Sequence, residues 1–218
     1  MKDSEIHEVI RRLKAASSSW NLPAVSQIEE QTKDPFRILI SCLLSLRTKD
    51  QVTGQACARI FPRARTPQQL LALPVRTIEK LIYPVGFYHT KAKRIHQICQ
   101  HLLGRFLGKV PNTLEELLTL PGVGRKTANL VVTLGFGKLG ICVDTHVHRI
   151  SNRLGYVLTK TPEQTEMALR KKLPRRYWIS YNDLLVSFGQ TICHPTSPWC
   201  SRCPVVRSCG RVGVTRSR

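Results

Sequence analysis

Four cysteines within 17 residues, Cys193, Cys200, Cys203 and Cys209, stand as C-x6-C-x2-C-x5-C near the end of the chain. Four thiolates form a complete ligand set for a metal ion or a cluster, so the segment is predicted to fold around what they bind. Ligand type alone leaves zinc and iron–sulfur equally open. The other four, Cys42, Cys57, Cys99 and Cys142, are scattered among mostly apolar neighbours and are predicted to be small buried hydrophobes. Metal ligation in place of disulfides fits a reducing, intracellular compartment. The polar opening Met1-Lys2-Asp3-Ser4-Glu5 predicts a helix start and not a signal peptide. No apolar run approaches a bilayer span, so no membrane partner is expected and the predicted location is cytoplasmic.

Charge narrows the partner. Lys and Arg total 34 against 14 Asp and Glu, a formal net charge of +20. A folded chain this basic is expected to meet a polyanion. Beyond Asp183 there is no acidic residue at all.

Periodicity predicts helices almost throughout. Asp34-Pro35 is an N-cap followed by proline at the first helical position. Phe36, Leu39, Ile40, Leu43 and Leu44 then recur at helical spacing, and Ile38 and Leu46 widen the stripe, which predicts a central, well-buried helix. Asp50 is expected to cap a helix to about Phe61, and Thr66-Pro67 to open a short one. A long helix from about Thr90 to Leu107 has Ile95, Ile98, Cys99, Leu102 and Leu103 on its apolar face and Lys91, Lys93, Arg94 and Arg105 on a basic one. Thr113-x-x-Glu116 and Thr161-x-x-Gln164 are capping-box patterns. Leu130 to Leu134 is β-branched, yet its place after a cap-like turn predicts helix. The last nine residues, Gly210 to Arg218, are expected to fray.

Two features carry chemistry upstream of the cysteines. In Leu120-Pro121-Gly122-Val123-Gly124-Arg125-Lys126, Gly122 and Gly124 let backbone N–H groups approach an anion, and the helix that follows adds its positive end. Such a turn suits a DNA phosphate; an ordinary helix–helix turn is the competing reading. Lys126 falls in the first helical turn beside Arg125, where dipole and neighbour both disfavour the ammonium. It is read either as a nucleophile or as a phosphate contact. Asp144 opens a further helix as an N-cap, a role compatible with stabilising positive charge in a reaction.

Leu120 to Ala128 resembles the helix-hairpin-helix of the endonuclease III family of DNA glycosylases. Val143-Asp144-Thr145-His146-Val147-His148-Arg149 is similar to the family segment that bears its catalytic aspartate, the Lys126-to-Asp144 spacing agrees, and the cysteine spacing is that of the family's 4Fe-4S loop. The likeness runs from about Pro35 to Cys209. It implies an all-α, two-lobed fold: a helical bundle over 28–136, and a second lobe of 1–27 with 137–218 that carries the cluster loop 193–209. It implies Lys126 as nucleophile, Asp144 as its carboxylate partner and a 4Fe-4S cluster on Cys193, Cys200, Cys203 and Cys209. Gly122, Val123, Gly124 and Arg125 would meet DNA through the turn.

Two departures accompany the resemblance. Arg47 stands where well-known bacterial members have glutamine, and Phe87 where leucine is common. Each matches a segment that enters the duplex when the base leaves, and either side chain can fill a vacated stack. A phosphate clamp for Arg47 and a core role for Phe87 are the competing readings. Cys193 is followed by His194-Pro195-Thr196-Ser197-Pro198-Trp199, without the basic residues found there in the family, and Arg202, Arg207 and Arg211 are the expected substitutes. The implied activity is a monomeric base-excision glycosylase with AP lyase activity, acting on double-stranded DNA with oxidised pyrimidines or abasic sites. The alternatives are a mismatch glycosylase for thymine or uracil opposite guanine, and a non-catalytic DNA-binding protein with structural zinc.

Overall fold

The computed structural model describes residues 1, 3–20 and 23–218; Lys2, Asn21 and Leu22 lie outside them, as does the Glu29 side chain. Among the described residues the regular structure is entirely helical. The α-helices are α1 (Glu5–Ala16), α2 (Ala24–Thr32), α3 (Pro35–Ser45), α4 (Asp50–Ile60), α5 (Pro67–Ala72), α6 (Val75–Ile82), α7 (Tyr88–Phe106), α8 (Leu114–Leu118), α9 (Arg125–Leu130), α10 (Thr145–Arg153), α11 (Pro162–Lys172) and α12 (Trp178–Thr191). They form two compact units, Ala24–Gly140 and Met1–Pro23 with Ile141–Arg218.

The unit 24–140 is organised by α3. Asp34 Oδ1 accepts from Phe36 N–H at 2.9 Å, and Pro35 presets the first turn. Phe36, Ile38, Leu39, Ile40, Leu43 and Leu44 are all buried, so α3 is apolar all round, as a central helix must be. Around it pack α2, α4, α7, α9 and the turn that follows α9. Asp50 does not cap α4. Lys49 holds the N-cap position, and the Asp50 carboxylate accepts instead from Ala24 N–H at 3.2 Å, at the start of α2. The helix from Arg125 widens into a π-helical turn over Val131–Gly135, where Thr133 Oγ1 donates back to Asn129 O at 2.8 Å. In α7, Ile95, Ile98, Cys99 and Leu102 are buried as expected, and Lys93, Arg94 and Arg105 are exposed. Lys91 is the exception on that face: it turns inward and is only 6% exposed.

In the unit of residues 1–23 and 141–218, α1 presents Ile6, Val9, Ile10 and Leu13 to the core at helical spacing. The core is closed by Val147 and Ile150 of α10, Leu169 of α11, and Tyr181, Leu185 and Phe188 of α12. A Cβ on Gly189 would lie 2.3 Å from His146 Nδ1, so α10 and α12 meet at a distance only glycine permits. The terminal segment does not fray. Gly210 and Val212 N–H groups donate to Leu154 and Arg153 carbonyls, and Arg218 N–H donates to Pro198 O. Arg218 O accepts from Ser201 N–H, and its guanidinium lies 4.6 Å from the Trp199 ring centroid. These long-range partners are invisible to local composition.

Leu39 is fully buried, so Leu39→Ala is expected to cost about 2–5 kcal/mol, read as a lowered urea midpoint. Leu107→Ala, at a side chain 89% exposed, should shift stability by no more than about 0.5 kcal/mol.

Candidate active site and cysteine site

In the unit 24–140, Thr113 caps α8 by accepting from Glu116 N–H, and the chain then turns through Gly122 at φ +79, a left-handed value suited to glycine. Val123 N–H donates to Leu120 O at 3.1 Å, which tightens the turn. Gly124 is the N-cap of α9 with no side chain to satisfy the first N–H groups. Gly122 and Gly124 are exposed and Arg125 half-buried. Val123 is buried and its N–H is taken by Leu120 O, so it packs the turn from within. Lys126 lies in the first turn of α9, half-buried, just before buried Thr127 and Ala128. The basic face of α7 borders this turn: a Cβ on Gly122 would lie 3.3 Å from Arg94 Cδ.

Arg47 and Phe87 also belong to this unit. Both have left-handed backbones, at φ +52 and +59. That conformation costs roughly 1–2 kcal/mol for a residue with a Cβ. Phe87 is 62% exposed, which removes the core reading. The Arg47 guanidinium carbon lies 5.8 Å from the Phe87 ring centroid, within cation–π range. The exposed Tyr83 adds an edge contact to Tyr88, at 5.4 Å between centroids.

In the other unit, Asp144 is the N-cap of α10. Its Oδ1 accepts from both His146 and Val147 N–H groups at 2.9 Å. Two N–H donors fix the carboxylate's orientation. From the same helix, Arg149 donates to Cys193 O at 2.8 Å, and burial pushes its guanidinium below the usual arginine range. Arg153 donates to Cys193 Sγ at 3.4 Å, to His194 O at 2.6 Å and to Pro195 O.

All four C-terminal cysteines are free thiols that line one cavity, with Ile150, Leu154, Phe188 and Val205 among its walls. Burial pushes Cys203 up to about 11, and the charges of Cys209, Cys193 and Cys200 push the same way. Four neighbouring thiolates in an apolar wall thus need a cationic centre, and the donor set fits an iron–sulfur cluster. By contrast Cys42, Cys57, Cys99 and Cys142 are buried, as expected of structural cysteines.

A family model for the HhH-GPD superfamily of base excision DNA repair proteins matches residues 40–175, the span that holds the glycine turn, Lys126 and Asp144. The chain belongs to that superfamily. It is 51% identical to endonuclease III of Thermotoga maritima over 176 residues, which cover 81% of this chain and 83% of that one. It is 46% identical to the chloroplastic endonuclease III homolog 2 of Arabidopsis thaliana, of which it spans 47%. The fold is similar to that of a trapped endonuclease III–DNA covalent intermediate, with a TM-score of 0.84, 32% identity and coverage of 96% of each chain. As a member of this family the chain is a DNA glycosylase, and AP lyase activity is the family's typical companion.

Tyr83 escaped the sequence reading. Lys91 and Arg94 enter it only as part of a basic helix face; tertiary packing brings Lys91 to Thr48, next to Arg47, and Arg94 to the glycine turn.

Because Asn and Asp cap helices about equally well, Asp144→Asn should leave the thermal midpoint almost unchanged, whereas Asp144→Ala should lower stability by about 1 kcal/mol. Scanning calorimetry on the two variants checks this.

Proposed function

We propose that this chain excises oxidised pyrimidines from duplex DNA and then cuts the strand 3′ to the abasic site by β-elimination. The observation that carries the reading is a primary amine, Lys126, in the first turn of the helix that leaves the two-glycine turn. The amide groups of Gly122, Gly124 and Arg125 hold phosphates of the strand, without base identity, while Val123 keeps the turn closed through its bond to Leu120 O. The damaged nucleotide leaves the stack, and Arg47 with Phe87 occupies the space. Neutral Lys126 Nζ attacks C1′; the glycosidic bond breaks, and its electron pair leaves with the base, which is protonated. Positive charge that builds on the sugar is stabilised by the Asp144 carboxylate. Loss of a proton from nitrogen and opening of the sugar yield a Schiff base. Removal of a C2′ proton then expels the 3′ phosphate, and water releases the lysine.

Cys193, Cys200, Cys203 and Cys209 would hold a 4Fe-4S cluster. The C-x6-C-x2-C-x5-C spacing, shared with the family's cluster loop, supports this assignment over a single zinc ion on the same four thiolates. When bound, the cluster supplies metal–thiolate bonds that staple the loop and contribute folding energy. The exposed Arg202, Arg207 and Arg211 then offer the loop's positive charge to DNA.

Borohydride should trap a covalent protein–DNA adduct on an abasic or oxidised-pyrimidine duplex. Lys126→Gln should abolish it, with roughly a 10³-fold or greater loss of strand cleavage. Asp144→Asn should slow base release by about 10²–10³-fold yet retain some cleavage of a preformed abasic site. Trapping by Lys126→Gln at the original rate would remove the mechanism. In a lesion panel, preferential release of thymine or uracil opposite guanine would replace the oxidised-pyrimidine specificity.

Purified protein should be yellow-brown, with iron and acid-labile sulfide in equal amounts. Cys203→Ser should lose both and lower the soluble yield. Active, colourless protein with stoichiometric zinc would refute the cluster.

A further inference from the structure

Lys91 is buried beneath the two turns that carry Arg47 and Phe87. Its ammonium donates to Leu44 O at 2.7 Å, to Leu46 O at 2.5 Å and to Thr48 Oγ1 at 3.1 Å. An ammonium has three N–H groups, and each has an acceptor here. Two of the acceptors are carbonyls at the C-terminal end of α3, where the helix leaves such groups without internal partners. No carboxylate is among the three, and burial pushes the lysine down to about 8. Burying a cation without a counter-ion is costly, so simple space-filling would favour an apolar side chain.

The hydrogen bonds instead tie one turn to another. Thr48 Oγ1 accepts from Lys91 and also from Gly86 N–H at 3.1 Å, while its own hydroxyl hydrogen reaches Leu46 O at 3.2 Å. A Cβ on Gly86 would lie 2.6 Å from Arg47 O, so the two turns touch backbone to backbone. Directly beside these pins stand Arg47 and Phe87, both exposed, both left-handed and both facing each other at cation–π range. Two strained residues persist only where their surroundings over-determine them. The Lys91–Thr48–Gly86 network supplies that constraint.

We propose that Lys91, acting through Thr48, is a positioning residue that fuses the Arg47 and Phe87 turns into one rigid wedge, and thereby sets discrimination between damaged and intact duplex from beneath the surface. The inference rests on the reading of Arg47 and Phe87 as residues that enter the duplex. It places a specificity determinant on a side chain that touches no DNA.

The test uses the full chain and measures affinity for a duplex with a tetrahydrofuran abasic analogue relative to the same duplex without it. Arg47→Ala should lower this ratio. Thr48→Val, an isosteric change at a half-buried site, and Lys91→Met should each lower it by about threefold to tenfold, the effect of losing one or two positioning hydrogen bonds. Thr48→Ser should restore it. The double variant Arg47→Ala with Thr48→Val should be no worse than Arg47→Ala alone, because both act on one wedge. Should Lys91→Met fail to fold, as a thermal melt would report, the Thr48 pair decides the matter. An unchanged ratio in Thr48→Val, or losses that add in the double variant while Arg47→Ala is itself effective, overturns the positioning role alone. An ineffective Arg47→Ala overturns the wedge and the inference with it.

Discussion

Helix α3 buries every one of its large apolar side chains, and much of the unit 24–140 follows from that burial. Its last carbonyls have no partner within the helix and must find one elsewhere. Lys91 reaches them from α7 and in doing so ties down Thr48 and the turns next to it. At the other end Asp34 and Pro35 complete the first turn without outside help. Packing of one apolar segment thus dictates where a cation is buried and which surface residues are held still.

The other organising fact is a shortage of carboxylates. With 34 Lys and Arg to 14 Asp and Glu, most cations cannot find an acidic partner. Many arginines settle on aromatic faces: Arg37 on Phe61, Arg176 on Tyr177, and both Arg202 and Arg218 on Trp199. Others reach carbonyls, as Arg59 does to Leu81 and Tyr83, and Arg153 does around Cys193. Rings and carbonyls hold the stems in place but leave the net positive charge undiminished, which is what a phosphate-binding surface requires.

What was legible in the sequence was local. The caps at Asp34, Thr113, Thr161 and Asp144 could be read because each bond spans two or three residues. The apolar stripe of α3 and the four buried cysteines could be read because composition decides them. By its charge Lys91 groups with Lys93 and Arg94, yet at i, i+4, i+7 and i+11 it shares the buried stripe of Ile95, Ile98 and Leu102; only its hydrogen-bond partners, at the end of α3 more than forty residues away, lie beyond local reading. Asp50 has the look of a cap, yet it serves Ala24 instead because α2 begins beside it. The terminal segment is small and basic, and what holds it lies far off in sequence or in the cysteine loop: the carbonyls of Arg153, Leu154 and Pro198, the N–H of Ser201 and the Trp199 ring. At Asp50 and in the terminal segment a distant backbone group outweighed a local propensity; at Lys91 the charge hid the periodicity.

The close approach at Gly189 has an evolutionary consequence. Helix α10 carries Asp144 at its start and Arg149 and Arg153 further along, and it lies against α12 with no room for a Cβ between them. The carboxylate is therefore anchored to a packed core. Arg47 and Phe87 sit on exposed turns of a different unit, where side chains can change without repacking anything. On the roles proposed above, side chains at positions 47 and 87 can change while the helix that holds Asp144 stays packed, so divergence in lesion preference should run ahead of divergence in chemistry.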